Sequence, residues 1–201
     1  MACPVNVRRR RFLGIAGVAV AVVVVALAFK KPFPSDHTPE GAYARIAKSL
    51  SEEHPRDIFD YLELEAQWAC FTLKNAHTEA RDRVSKSWPP GPEREQLLSA
   101  YEADAKAEDG RDVFLRFAEA RGWLVRLKKD LSGIASVEVS GERATVVTAR
   151  GTRYSFRQRD QGLWGLTMFT AELVVEAERA SRDLEAVKKA ADDYDRGMGS
   201  R

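Results

Sequence analysis

Apolar residues recur at three- and four-residue steps along most of this chain, and in one short stretch the rhythm changes to alternation. Ala42, Tyr43, Ile46, Ala47 and Leu50 form one helical stripe behind Thr38-Pro39-Glu40. Thr38 is placed to cap that helix, and Pro39 takes the first helical position, where a missing N–H costs nothing. After the polar break Ser51 to His54, a second helix opens at Pro55 and Asp57 with Ile58, Phe59 and Leu62 on one face. Its pattern resumes at Leu64, Trp68, Phe71, Leu73 and Ala76. From Glu79 to Lys86 it becomes charged, which predicts a solvated extension, and Trp88-Pro89-Pro90-Gly91-Pro92 forces a stop. Helical spacing returns over Glu93 to Glu108 through Leu97, Leu98 and Tyr101. Beyond Asp109-Gly110 it returns again in Val113, Phe114, Phe117 and Ala118, with Gly122 as the cap before Trp123-Leu124-Val125.

At Ile134 the period becomes two. Ser136 to Val139, Ala144 to Thr148, Thr152 to Gln158 and Leu163 to Met168 read as three or four short strands. Ser140-Gly141 and Arg150-Gly151 supply the positive φ that tight hairpins require, so the strands form an antiparallel meander. Thr170 to Tyr194 closes the chain as a long helix, with Leu173, Val174, Ala177, Ala180, Leu184, Val187 and Ala191 on one side. The expected fold class is therefore α+β, with several helices packed on a short antiparallel meander, a long C-terminal helix and an N-terminal transmembrane helix.

That last element rests on an 18-residue run, Phe12 to Phe29, free of polar side chains and set between Arg8 to Arg11 and Lys30-Lys31. As a helix it would span roughly 27 Å, close to the hydrocarbon thickness of a bilayer. Four arginines before the run against two lysines after it orient residues 1–11 toward the cytoplasm and the polypeptide after Lys31 outside. The same residues also fit a cleavable signal, with Ala26-Leu27-Ala28 as the small-x-small site and cleavage before Phe29. The length of the run exceeds the usual h-region and favours the uncleaved anchor. Arg9-Arg10-Arg11-Phe12-Leu13 matches a twin-arginine pattern that a run of four arginines meets by chance, and Cys3 precedes the run, where a lipidated cysteine would follow it. The expected organisation is a basic leader at 1–11, a transmembrane helix or signal h-region at 12–29, and a linker at 30–37. An α+β domain at 38–169, an amphipathic helix at 170–195 and a disordered tail at 196–201 follow.

Composition changes the picture once the leader is set aside. The chain has 32 Lys+Arg and 30 Asp+Glu, but six of the basic residues and none of the acidic ones precede Pro32. The remainder carries 26 basic against 30 acidic residues, a net of −4, so no nucleic-acid partner is expected. Cys3 and Cys70 would lie on opposite sides of the membrane and cannot pair; Cys70, within Gln67-Trp68-Ala69-Cys70-Phe71, reads as a small buried hydrophobe.

The segment from Thr38 to Met168 resembles the nuclear-transport-factor-two-like (cystatin-like) domains, especially small exported bacterial ones. Thr38-Pro39-Glu40 at the first helix, Gly141 to Val146, Tyr154 to Phe156 and Gly162 to Leu166 carry the likeness. Ala76 to Lys106 stands out as an insertion, and the last helix extends past the usual end of that fold. The resemblance implies a sheet curled around a helix into a cone, whose interior some relatives use as an apolar pocket with a general base and a hydrogen-bond donor. Tyr61, Tyr101, Asp104 and Asp112 are residue types such a pocket needs.

No catalytic, cofactor-binding or metal-ligating residue is marked by motif. His37, His54 and His77 are far apart in polar segments and read as solvated or capping side chains. Glu52-Glu53 and Asp192-Asp193 are sequence neighbours that point to different faces, and Trp68, Trp88, Trp123 and Trp164 read as core or interface residues. The expectation is a membrane-anchored extracytoplasmic binding module without catalysis, held to the membrane by its N-terminal helix. It would meet a protein partner, or a second copy, through the C-terminal helix. The alternative is a small-ligand binder or isomerase-like enzyme using the cone. The location expected is the inner membrane, single-pass, or the periplasm after cleavage near Ala28.

Overall fold

Thr38 Oγ1 accepts a hydrogen bond from the Gly41 N–H at 3.1 Å, and Pro39 follows as the first helical residue, so helix α1 (Pro39–Ser51) starts where its cap and proline place it. The computed structural model describes residues 33–199. The basic leader and the apolar run at 12–29 lie outside the described residues; among the described residues no helix is long and apolar enough to cross a membrane.

After α1 come a short 3₁₀ helix (Pro55–Tyr61), then α2 (Leu64–Ser87), α3 (Pro92–Ala105), α4 (Gly110–Ala120) and α5 (Trp123–Asp130). Four strands follow, β1 (Ile134–Ser140), β2 (Arg143–Thr148), β3 (Arg153–Gln158) and β4 (Trp164–Leu166), and then α6 (Thr170–Gly199). The class is α+β. The strands pair in sequence order as one antiparallel sheet, the meander expected from the alternating pattern. Its turns use glycine where expected, at Gly141 (φ 57°) and Gly151 (φ 81°).

Alternation assigns the two sheet faces. Ala144, Val146 and Thr148 of β2, Tyr154 and Phe156 of β3, and Trp164 and Leu166 of β4 are buried. This face packs on α1 through residues such as Tyr43, whose ring lies 5.3 Å from that of Tyr154. Arg143, Arg153 and Arg157 point the other way, into solvent. The edge strand β1 is exposed along almost its whole length, with Val139 at 59 %, and its register with β2 slips between Ile134 and Ser136.

One buried carboxylate links the sheet to two helix starts. Glu63, buried just before α2, accepts from Arg157 Nη1 of β3 (3.1 Å) and from Thr170 Oγ1 at the start of α6 (2.8 Å). Its N–H donates to the Leu166 carbonyl of β4 at 3.0 Å. Gly165 permits that close approach, since a Cβ there would fall 2.7 Å from the Glu63 backbone.

The most extensive helix–helix contact is between α2 and α6. On α2 the buried stripe is Ala66, Ala69, Cys70, Leu73, Ala76, Ala80 and Val84; on α6 it is Leu173, Ala177, Ala180, Leu184, Val187 and Ala191. Small side chains on both helices allow the backbones to approach closely. Trp88 closes the far end against Tyr194, with ring centroids 4.9 Å apart.

Four expectations need correction. Of the expected apolar side of α2, Leu73 and Ala76 are buried, but Leu64, Trp68 and Phe71 are exposed, and Ala66, Ala69 and Cys70 face inward in their place. Glu79 to Lys86 is not merely solvated, because Ala80 and Val84 within it are buried and α6 runs alongside. Trp123–Asp130 forms a helix that the short pattern did not reveal, with only Trp123 and Leu127 buried. The last helix extends to Gly199, so residues 196–199 are helical, where a tail from 196 was expected.

The seam makes a testable distinction. Ala80→Leu should destabilise the protein by about 1–3 kcal/mol through overpacking, whereas Trp68→Ala should change stability by no more than about 0.5 kcal/mol. Urea unfolding of the two variants measures both.

Candidate functional site

Two constellations carry chemistry that the fold assembles from separate elements. The first lies where α2, α3, α4 and α6 meet. Asp104, near the end of α3, is only 4 % exposed. His77 of α2 reaches its Oδ2 through Nδ1 at 2.8 Å, and Arg116 of α4 donates from Nε to its Oδ1 at 2.7 Å and also from Nη2. An ionised carboxylate only accepts, so the His77 proton engaged here sits on Nδ1. Tyr101, one turn before Asp104, places its ring 5.3 Å from the imidazole. Arg116 also lies over Phe117 at 4.4 Å.

Burial pushes the Asp104 carboxyl upward, but the His77 hydrogen bond and the Arg116 guanidinium outweigh it and hold it below the ordinary carboxylate range. Cys70 lies within the electrostatic reach of this pair; burial first, and then the Asp104 charge, push its thiol up to about 12. The groove above the cluster encloses about 340 Å³ and is bordered on the α6 side by Glu176, Arg179 and Asp183.

A histidine oriented by a carboxylate is a general-base arrangement. Here, however, both Asp104 oxygens are already engaged and its charge is compensated by Arg116. The thiol beside it is buried and held protonated at neutral pH. The cluster therefore works as a polar tie between helices that the hydrophobic seam does not join, α3 and α4 to α2.

The second constellation is at the surface. Trp68 is 65 % exposed, while the other three tryptophans, Trp88, Trp123 and Trp164, are buried. It stands between two open recesses. One, of about 420 Å³, runs from Leu64 and Glu65 to Glu142 in the β1–β2 turn and the β3–β4 hairpin at Arg157 to Asp160. The other, of about 440 Å³, runs across Ala69 and Thr72 to Val174, Glu178 and Arg182 of α6. Val175 and Leu64 add exposed apolar surface on the same two helices.

The placement of the sequence candidates is mixed. Tyr101 and Asp104 come together, and His77, expected in solvent, joins them. Tyr61 stays apart, and Asp112 instead accepts from the Glu108 N–H (3.0 Å) and pairs with Arg56 (2.9 Å). His37 and His54 are exposed, as expected. Tyr154 Oη is a buried hydroxyl without a hydrogen-bond partner among the described residues, on the sheet face that packs on α1. Among the described residues no group of three or more His, Cys, Asp or Glu converges to hold a metal ion. Sequence reading missed the exposure of Trp68, although a signal existed. The small-residue stripe continues unbroken from Ala66 to Val84, whereas the large-residue one ends at Phe71.

No protein-family model matches the chain, and neither the curated proteins nor the solved structures contain one significantly similar to it.

Asp104 sets an acid limit. Its pKa in the folded chain lies below the unfolded value of ~3.9, so its stabilisation is complete above that value and is lost as pH falls through the depressed one. Asp104→Asn should cost about 3 kcal/mol at neutral pH by leaving Arg116 and His77 without their carboxylate. It should also flatten the loss of stability between roughly pH 5 and pH 2, read by thermal melts across that range. At Cys70, alkylation at pH 8, mapped by peptide mass, should be negligible in the folded protein and complete in denaturant.

Proposed function

We propose that this chain is a membrane-tethered, extracytoplasmic binding module without catalytic activity, and that it meets a protein partner through the face centred on Trp68. The observation that carries this reading is the exposure of one tryptophan, out of four, between two recesses of side-chain size. A solvated indole is an unfavourable use of a large apolar surface unless something covers it, and tryptophan is enriched among residues that dominate binding energy.

The partner contact through the C-terminal helix is narrower in this reading than its apolar stripe suggested. Leu173, Ala177, Ala180, Leu184, Val187 and Ala191 are engaged by α2, which leaves Val174, Val175, Glu178 and Arg182 of α6 for a partner. The tether is argued from the apolar run at 12–29 and its flanking charge, and the order of helices followed by a meander is the argument for kinship with nuclear-transport-factor-two-like domains. The isomerase-like alternative asks for an enclosed apolar cavity. The recesses described above are open, and the face of the sheet that would line a cone packs on α1, with the Tyr43 ring against that of Tyr154.

Two measurements test the reading. Intact mass of protein extracted from membranes should be 22.5 kDa, that of the whole chain; a species beginning at Phe29 would overturn the anchor. A photo-crosslinking residue at position 68 should give a discrete protein adduct in native membranes. The same residue at position 125, which is also highly exposed but lies on α5, should give none. Equal labelling at both sites, or none at 68, would remove the Trp68 face as the docking surface.

A further inference from the structure

We infer that the Trp68 face takes a basic peptide segment, with a Lys or Arg side chain seated on the indole and a neighbouring apolar side chain in the recess toward α6. This rests on the binding-module reading above and specifies the chemistry of its partner.

Around Trp68 some charges are already satisfied: Glu63 pairs with Arg157 at 3.1 Å, and Glu178 with Arg182 at 3.8 Å. Arg159 turns its guanidinium onto the carbonyls of Asp60 (2.6 Å) and Leu62. Three carboxylates on the same recess, Glu65, Glu142 and Asp160, have no ion pair among the described residues. Glu142 and Glu65 reach Arg157 only through their field, which adds to the raising of its pKa. The recess beside the indole is therefore lined by four carboxylates, Glu63, Glu65, Glu142 and Asp160, against two guanidinium groups, Arg157 and Arg159, a formal net of −2.

A cation over a tryptophan face gains from the ring quadrupole, and tryptophan is the best of the aromatic platforms for this. Nearby carboxylates add long-range attraction that raises the on-rate and selects sign. The recess on the α6 side differs in character: Ala69, Val174 and Ala177 line it, so an apolar side chain two or three residues along the same segment fits there. An acidic peptide, or a nucleic acid with its phosphates, meets repulsion at the first recess. A single small cation would leave the second recess empty, so a segment of chain matches the surface better.

The test exploits the burial of the other tryptophans, since collisional quenching of the full chain in non-ionic detergent reports mainly on Trp68. Relative to its quenching of free N-acetyltryptophanamide, caesium should retain more of its efficiency than iodide, because the local field is negative; the reverse order after this normalisation would overturn the charge argument. A short peptide alternating arginine with leucine should then shield Trp68 from acrylamide. It should do so at a concentration about tenfold below that needed by the same peptide with serine for arginine. The glutamate version should not shield at all. Raising salt to about 1 M should abolish the preference. The triple variant Glu65→Gln, Glu142→Gln, Asp160→Asn should keep the wild-type melting temperature, because it breaks no ion pair, and lose most of that tenfold. If serine and arginine peptides shield equally, the basic partner is wrong while the docking face stands. If no peptide shields at millimolar concentration but the position-68 adduct forms, the inference alone falls. If neither shielding nor adduct appears, the binding reading falls with it.

Discussion

The close approach of α2 and α6 is the constraint on which the rest of the molecule depends. Two helices of 24 and 30 residues, roughly 36 and 45 Å long, lie together along a seam lined largely by alanine. Alanine buries little area per residue, so the seam gains its stability from length and from the dispersion contacts that proximity allows. Small side chains facing inward also set the rotation of α2. Once Ala66, Ala69, Ala76 and Ala80 point at α6, Leu64, Trp68 and Phe71 must point elsewhere. The exposed indole is thus a geometric result of how the helix pair packs, and the recesses beside it are bounded by the same two helices and the hairpin.

Polar groups then fasten what the seam leaves loose. Glu63 ties the start of α2 to β3 and α6, while Asp104 ties α2 to α3 and α4. Both carboxylates are buried, and each has a guanidinium together with a second donor. A lone buried charge would be costly, and the paired arrangement turns it into a directional joint. Arg121 extends the scheme at the surface, bonding Glu172 and Glu176 of α6 from the end of α4.

What could be seen in the sequence was what depends on neighbours in sequence. The Thr38-Pro39 start, the glycines of the hairpins and the alternating strands all follow from local backbone chemistry, and they appear where the pattern puts them. The facing of α2 was not legible by the same route, because two apolar stripes compete on it. Hydrophobicity weights the larger side chains, whereas helix packing here selected the smaller and longer-running stripe. His77 and Asp104 are 27 positions apart, and only the return of the chain at Pro89 to Pro92 brings them into contact. No motif encodes such a meeting. Trp123–Asp130 escaped notice because a helix of two turns shows too few repeats of its period.

The outer border of β1 has a further implication. A strand with one row of backbone amides and carbonyls facing water is a template on which another molecule could extend the sheet. Two details spoil that template. The slipped register between Ile134 and Ser136 bends the row out of step, and Glu138, clasped at 2.8 Å by Arg153 from two strands away, sets charge beside it. Stacking of identical subunits border to border is thereby discouraged at the exposed rim of the four-stranded sheet.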